Sequence, residues 1–369
     1  MGTQRFDTVV VGGGQAGLTV GYHLARRGRP FLILDENDRV GDAWRKRWDS
    51  LHLFTNAWAV GLPGMRYPGP RLAFPSKDEY ADYLEAYAER WALPVRTGAR
   101  VTRVRAGSGG AFVVTLGGDE IEADHVVVTT GANHAPRVPE LADGLDPRIV
   151  QLHSVGYRNP DGVPAGPVLV VGTGNSGAEL ALELARTRPV LLAGPDPDEI
   201  PVPLTTATSA MVLPLLLLVQ RHVLTLRTPM GRRAAAQHRT VPLIRTRTRD
   251  LAAAGVERVP RVVGTRDGLP LLDGGRVAEV GCVVWCTGFR TDLGWLDLPA
   301  CDDDGRVLHD RGMSTTVPGL AFVGLHFQFA LASETIAGVG RDAAWVVRHL
   351  DDRRAPTAVD PSVARTSAA

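Results

Sequence analysis

Two glycine-rich turns of the same pattern constrain this chain more than any other feature. The first is Val9-Val10-Val11-Gly12-Gly13-Gly14-Gln15-Ala16-Gly17. The second is Val168-Leu169-Val170-Val171-Gly172-Thr173-Gly174-Asn175-Ser176-Gly177. Each follows a β-branched apolar run and opens a helical pattern, the context that gives the spacing meaning. The first glycine of such a turn makes the bend, the second lets backbone approach a pyrophosphate, and the third lets helix pack on strand. The phosphates then rest on the helix N-terminus, where free N–H groups and the dipole favour negative charge. Gly12, Gly14, Gln15, Ala16 and Gly17 are therefore candidate cofactor contacts, as are Gly172, Gly174, Asn175, Ser176 and Gly177. Asp35, with Glu36 beside it, ends the next strand pattern where an acid reaches the ribose hydroxyls, about 20 residues after the glycines. Two such sites suggest two dinucleotides, one carrying electrons and one supplying them, and the natural pair is FAD with NAD(P)H.

The chain has 369 residues, room for two domains, and a net charge of +1. No bulk field favours nucleic acid or an anionic membrane. The three cysteines, Cys282, Cys286 and Cys301, contain no Cys-x-x-Cys pair, so neither a redox dithiol nor a disulfide framework is indicated, and no metal site is expected. Met211 to Val219, the longest apolar run, is broken by Pro214 and is short of the roughly 20 residues of a membrane span. A first strand by Phe6 leaves no room for a signal peptide, and a cytoplasmic, soluble protein is expected.

The order of elements predicts an α/β fold with two Rossmann-like dinucleotide-binding domains, the second inserted into the first. The expected limits are 1–158 for the first part of the FAD domain, 159–279 for the NAD(P) domain, 280–350 for the completion of the FAD domain, and 351–369 for a flexible tail. Helix patterns fall at Gln15–Arg27, Asp78–Trp91, Ser176–Arg186 and Gly338–Leu350, and short antiparallel strands at Val101–Arg105, Ala111–Leu116 and Ile121–Ala123. Val126–Thr130, Val280–Trp285 and Leu320–Val323 read as buried strands, and the glycine- and proline-rich Asn159–Pro167 as a linker. Beyond the glycine turns, the two units show no close sequence repeat.

At this point the residues suggest a family. The chain resembles the flavin-containing monooxygenases, closest to the short bacterial and plant YUCCA-like branch. The matching segments are Gly12–Gly17 with Asp35, Gly41-Asp42-Ala43-Trp44, Leu51-His52-Leu53-Phe54-Thr55 and Phe74-Pro75-Ser76-Lys77. They continue with Thr130-Gly131, His153-Ser154 with Tyr157, Gly172–Gly177 with Glu179, Trp285-Cys286-Thr287-Gly288-Phe289 and Gly338–Asp342. The resemblance implies a glutathione-reductase-like FAD domain with an inserted NAD(P) domain. It also implies that NAD(P)H reduces FAD, that O2 adds at flavin carbon 4a, and that the hydroperoxide oxygenates a small nucleophile, or a ketone in Baeyer–Villiger members. The protein then positions the flavin and excludes water. Flavin reductase or oxidase activity and a non-catalytic flavoprotein remain alternatives; a small-molecule substrate is expected, and a homodimer stays open.

The resemblance assigns catalytic roles to Asn56, His153 and Tyr157. Asn56 would steady the peroxide, or it caps a turn. His153 gates the cleft, or it is a linker histidine bonded to backbone. The family's Phe and Gly positions before it are Pro147 and Ile149, and Tyr157 stands where Baeyer–Villiger enzymes carry Trp. Trp44, Arg47, His52, Thr130, Gly131, Gly288, Gln328 and Gly340 complete the implied flavin and coenzyme contacts, with Trp44 equally suited to core packing. Gly338–Arg341 would aim a helix N-terminus at the flavin. In related reductases an acid follows the last strand; here Gly324 precedes Leu325. In the second unit Pro195 stands where an acid would select NADH and an arginine NADPH. NADPH and NADH both stay open, with Arg186, Arg188 or the Arg221–Arg249 segment as sources of a missing cation. Met211–Arg249 is either a lid over the flavin or core.

Overall fold

The computed structural model describes residues 4–131, 135–200, 204, 206–237 and 242–351; the tail expected after Leu350 lies, from residue 352 on, outside them. The chain opens with β1 (Gln4–Val11), α1 (Gln15–Ala25) and β2 (Phe31–Leu34). After a single helical turn at Asp42–Arg45 comes α2 (Lys77–Arg90). Ser76 and Glu79 close a capping box on it: Ser76 Oγ accepts from the Glu79 N–H at 3.2 Å, and Glu79 Oε2 accepts from the Ser76 N–H at 2.8 Å. β3 (Val95–Arg96), β4 (Val101–Ala106), β5 (Phe112–Leu116) and β6 (Asp119–Val128) follow.

β6 joins what the sequence pattern divides into two strands. Its start pairs antiparallel with β5, and from Ile121 to Val128 it runs parallel to β1. Burial alternates over the first half and is continuous over the second. One face is therefore covered first and both faces later, as expected where an antiparallel ribbon runs into a parallel sheet.

The remaining elements are β7 (Val150–His153), β8 (Val168–Val171), α3 (Asn175–Leu184), β9 (Val190–Ala193), α4 (Thr206–Leu218), α5 (Pro229–Ala236), α6 (Thr248–Ala253) and β10 (Glu257–Val259). β11 (Cys282–Trp285), β12 (Leu320–Phe322) and α7 (Ile336–His349) end the described chain. The first sheet runs β4-β5-β6-β1-β2-β3, with β12 parallel to the end of β6. The second is parallel throughout, in the order β10-β9-β8-β11-β7. Two strands thus lie across the expected domain limits of 158 and 280. Val150–His153 and Cys282–Trp285 both belong to the second sheet, paired to each other and, through β11, to β8. Apolar parallel strands look alike in sequence, and only pairing assigns them to a sheet.

Val10, Leu18, Val20 and Leu24 pack with Val339, Ala343 and Val346 of α7, so the last helix closes the first glycine unit. Each fully buried valine or leucine stabilises the fold by about 1.5–3 kcal/mol. Trp44 is half-buried against both this core and that of the second sheet, while Trp48, Leu51 and Tyr157 sit in the latter. The Trp44–Leu51 segment therefore lies between the two units.

Candidate functional site

The two glycine turns are near copies. Gly12 has φ +110° and Gly172 φ +112°, the left-handed region that favours glycine. A Cβ on Gly17 would lie 1.9 Å from the Gly12 carbonyl oxygen, and one on Gly177 1.8 Å from that of Gly172, so strand end and helix touch. Gly14 and Gly174 meet nothing within 4 Å. Neither α1 nor α3 has a side-chain cap or an acid in its first turn. Open space, uncapped N–H groups and a positive helix end together fit a pyrophosphate at each turn.

The turns differ in what stands behind them. Asp35 Oδ2 accepts from the Gly13 N–H at 2.5 Å, and Oδ1 accepts from Asn37 N and Nδ2, each at 2.8 Å. A carboxylate offers about four lone-pair sites, so one remains for a ribose hydroxyl. Glu36 points to the surface beside Arg100 at 3.7 Å. In the second unit Thr173 donates to the Pro195 carbonyl at 2.8 Å, and Asn175 ties the helix start to Pro242 and Ile244. Ser176 is half-buried on the first turn of α3.

An internal echo escapes a search for sequence repeats. The Thr129 N–H donates to the Val11 carbonyl at 2.8 Å, and the Cys286 N–H donates to that of Val171 at 2.8 Å. Thr129-Thr130-Gly131 and Cys286-Thr287-Gly288 therefore occupy the same place behind their glycine turns. Gly131 and Gly288 both have positive φ, +76° and +81°, beside open space, and Thr130 is half-buried. Thr129, absent from the sequence candidates, donates to the Val11 and Gly12 carbonyls at 2.8 Å each and would meet any Cβ at Gly12. The paired Thr-Gly and Thr-Gly after two apolar strands was the signal that could have found it.

At the carboxyl ends of β7 and β11, where ligands bind in open α/β sheets, three separately predicted residues meet. His153 Nε2 lies 3.1 Å from the Gly288 carbonyl, and its Nδ1 accepts from the Val155 N–H at 3.3 Å. These partners select the neutral tautomer with the proton on Nε2. Burial holds the His153 pKa below its ordinary value; the Gly288 carbonyl opposes this and the Arg47 charge adds to it. The Arg47 guanidinium lies 5.3 Å over the Phe289 ring, whose edge meets His153. Burial and neighbouring Arg158 lower the Arg47 pKa, yet a guanidinium stays charged. Trp44 Nε1 lies 3.4 Å from Gln15 Oε1 at the head of α1, and its ring meets Tyr80 edge-on. Trp44 thus both packs and reaches the glycine turn.

Asn56 is fully buried. Its Nδ2 donates to the Leu72 carbonyl at 2.7 Å, its Oδ1 has no partner, and it makes no side-chain cap on the turn that follows. The capping alternative is therefore replaced by an orphaned acceptor. His52 Nδ1 lies 3.0 Å from the Ser50 carbonyl, and the His52 carbonyl accepts from Arg245. Near it Glu179, on α3, borders a polar cavity of about 280 Å³ with Ser50, Glu183, Arg186 and Arg245. Burial raises the Glu179 carboxyl to about 7, opposed by Arg245.

Three of the implied contacts are engaged in the protein's own packing. Tyr157 is buried in the second core, and its hydroxyl donates to Glu183 at 2.9 Å. Gln328 is enclosed: Oε1 accepts from the Gly324 and Leu325 N–H groups, and Nε2 donates to the Arg311 carbonyl. It braces the loop where related reductases carry an acid. The last helix begins at Ile336, not Gly338, so Gly340 lies in its second turn, where a Cβ would meet Pro63 at 2.9 Å. Tyr157→Phe is expected to cost about 1–3 kcal/mol in thermal denaturation, because Glu183 loses its donor, with turnover unchanged. Altered turnover with an unmoved midpoint would return Tyr157 to the reaction.

The cation sought near Pro195 comes from an unexpected strand. Arg188 is occupied by the carbonyls of Pro160, Val163 and Pro164. Arg258, on β10, reaches instead the Pro195 carbonyl at 3.0 Å and Asp196 Oδ1 at 3.1 Å. Its Nε and Nη1 are buried and have no partner.

Two α/β units, each with an open glycine turn heading an uncapped helix, define a two-dinucleotide oxidoreductase. Residues 9–194 match the pyridine nucleotide-disulphide oxidoreductase family. Over 350 residues the chain is 35% identical to the uncharacterised CzcO-like oxidoreductase of Geobacillus kaustophilus, covering 93% of this chain and 98% of that one. It is 36% identical over 181 residues to the indole-3-pyruvate monooxygenase YUCCA1 of Oryza sativa, 48% of this chain and 45% of the other. The flavin-containing monooxygenase from Stenotrophomonas maltophilia superposes with a TM-score of 0.75 at 28% identity, over 94% of this chain and 98% of that one. The chain belongs to the flavin-containing monooxygenase family, within the pyridine nucleotide-disulphide oxidoreductases. It is an oxidoreductase.

Proposed function

We propose that this chain is an FAD-dependent, NADPH-driven monooxygenase that inserts one oxygen atom of O2 into a small apolar nitrogen or sulfur nucleophile. The observation that carries the reading is the pair of matching turns, with open space at Gly14 and Gly174, in one chain of this family. The first turn, with Asp35 for the ribose hydroxyls, would hold FAD, and the second turn would hold the coenzyme. Reduced FAD supplies the oxygen activation when bound. The chain's own residues bind, orient and exclude water. Among the described residues the half-buried Arg47 has no carboxylate partner, and it offers its charge to an anionic group beside His153. Neutral His153 braces the Gly288 carbonyl, and so the loop after β11, as a positioning residue. Asn56, with a buried and unpartnered Oδ1, would be the acceptor at the reacting oxygen that the resemblance implies. Arg258 favours the phosphorylated coenzyme, and NADH remains the alternative donor.

Anaerobic mixing with NADPH or NADH, followed by oxygen, tests the reading. Bleaching of the roughly 450 nm flavin band identifies the donor, and a long-lived absorbance between reduced and oxidised spectra identifies the oxygenating enzyme. Direct return to the oxidised spectrum with substrate present supports a reductase or oxidase. Asn56→Ala is expected to raise hydrogen peroxide release relative to product severalfold, at a stability cost of about 1–3 kcal/mol from the unpaired Leu72 carbonyl. Unchanged coupling would remove Asn56 from the reaction.

A further inference from the structure

α4 is apolar on every side, a composition expected of a buried helix. Its inner face is buried: Leu213 and Leu217 pack with Leu204 against Phe74, Ile244 and Ala337. Its outer face is not. Met211, Leu215 and Leu218, at i, i+4 and i+7, are 83%, 65% and 54% exposed, and Pro214 lies on the same exposed stripe. Met230, on the following helix, is 59% exposed. A contiguous apolar stripe of this kind marks an interaction surface.

Charge says what covers it. The chain as a whole is nearly neutral, but residues 200–249 hold eight arginines and no aspartate or glutamate. Arg227, Arg232 and Arg233 are exposed. The Arg227 guanidinium lies 5.5 Å over the Phe329 ring, and Arg232 donates to the Leu226 and Arg227 carbonyls, so neither is neutralised by a carboxylate. A second copy of the chain would bring two such basic rims together. A bilayer bearing anionic headgroups satisfies both the stripe and the rim.

We propose that α4 and the basic segment after it form a docking surface for an anionic lipid bilayer, with the helix lying in the headgroup plane. Among the described residues no helix is long and apolar enough to cross a membrane, so the chain lies on the surface and does not span it. The proposal stands apart from the reaction, because it uses neither glycine turn.

The test is co-sedimentation of the purified, full-length holoenzyme with vesicles of phosphatidylcholine alone and of phosphatidylcholine mixed with phosphatidylglycerol. Binding to the mixed vesicles, weakened by salt and absent with the neutral ones, is the expected result. Leu215→Gln with Leu218→Gln should lower the partition coefficient at least about tenfold. Arg232→Glu with Arg233→Glu should do the same and flatten the salt dependence, by about tenfold or more. This second variant leaves α4 unaltered, since both arginines lie on α5, and serves if the first misfolds by circular dichroism. Failure to sediment with anionic vesicles, or equal binding to both vesicle types, overturns the proposal. So does a concentration-dependent dimer in solution that the leucine variant abolishes, which would make the stripe a contact between copies.

Discussion

Gly14→Val is expected to yield a folded, colourless protein, and Gly174→Val a yellow one that no coenzyme can bleach. Gly14 has φ −75° and ψ −171°, extended backbone that valine adopts readily, and its Cβ would meet nothing within 4 Å. The side chain therefore enters the space the pyrophosphate needs, without a clash inside the protein. Losing two charge-assisted contacts from the helix N–H groups costs roughly 3 kcal/mol or more, about two orders of magnitude in affinity. Gly174 has φ −72° and the same open surroundings, so the same argument transfers to the coenzyme. Far-UV circular dichroism checks the fold, flavin absorbance checks the first site, and anaerobic titration with NADPH checks the second. A Gly14→Val protein that keeps stoichiometric FAD would show that the first turn is not the flavin site. The contrast with Gly17 sharpens the reading: there a Cβ lies 1.9 Å from a backbone oxygen, and substitution breaks the turn itself.

Arg258→Gln is expected to lower kcat/KM for NADPH relative to NADH by roughly tenfold or more, the value of one charge-assisted contact of about 1.5–3 kcal/mol. The complementary Pro195→Arg should move the ratio the other way. Arg258 already reaches the Pro195 carbonyl, where the 2′ position of a bound adenosine is expected, and its remaining donors are unpaired. An unchanged ratio in both variants, measured by steady-state oxidation of each coenzyme, would detach coenzyme choice from this corner.

The parts legible in sequence are those whose function is fixed by local backbone. Glycine spacing dictated both turns, because a positive φ and a near-contact with a carbonyl exclude other residues at Gly12, Gly17, Gly172 and Gly177. Asp35 was legible for the same reason, since it ends the strand that the turn abuts. Arg258 was not. It lies some sixty residues beyond Pro195 and meets it only because β9 and β10 pair in parallel, with Leu192 opposite Arg258. Family position says nothing of burial, and Tyr157 and Gln328 are both turned into packed surroundings. β6 read as two strands because Asp124 and His125 interrupt its apolar run; His125 is nonetheless buried, with Arg29 and the Asp7 carbonyl as partners.

The thiol beneath the second glycine turn has a consequence for how the coenzyme lobe can be watched. Burial pushes Cys286, just past the end of β11, up to about 12 and Cys282, at the start of the same strand, up to about 11. At neutral pH neither is a thiolate while β8 and β11 are paired, and the thiolate is the reactive form. Cys282 is buried, so its alkylation waits on a local opening of that sheet, whereas the half-exposed Cys286 is held back only by its protonation. The second lobe thus carries its own clock: the rate at which Cys282 reacts counts the openings of its sheet.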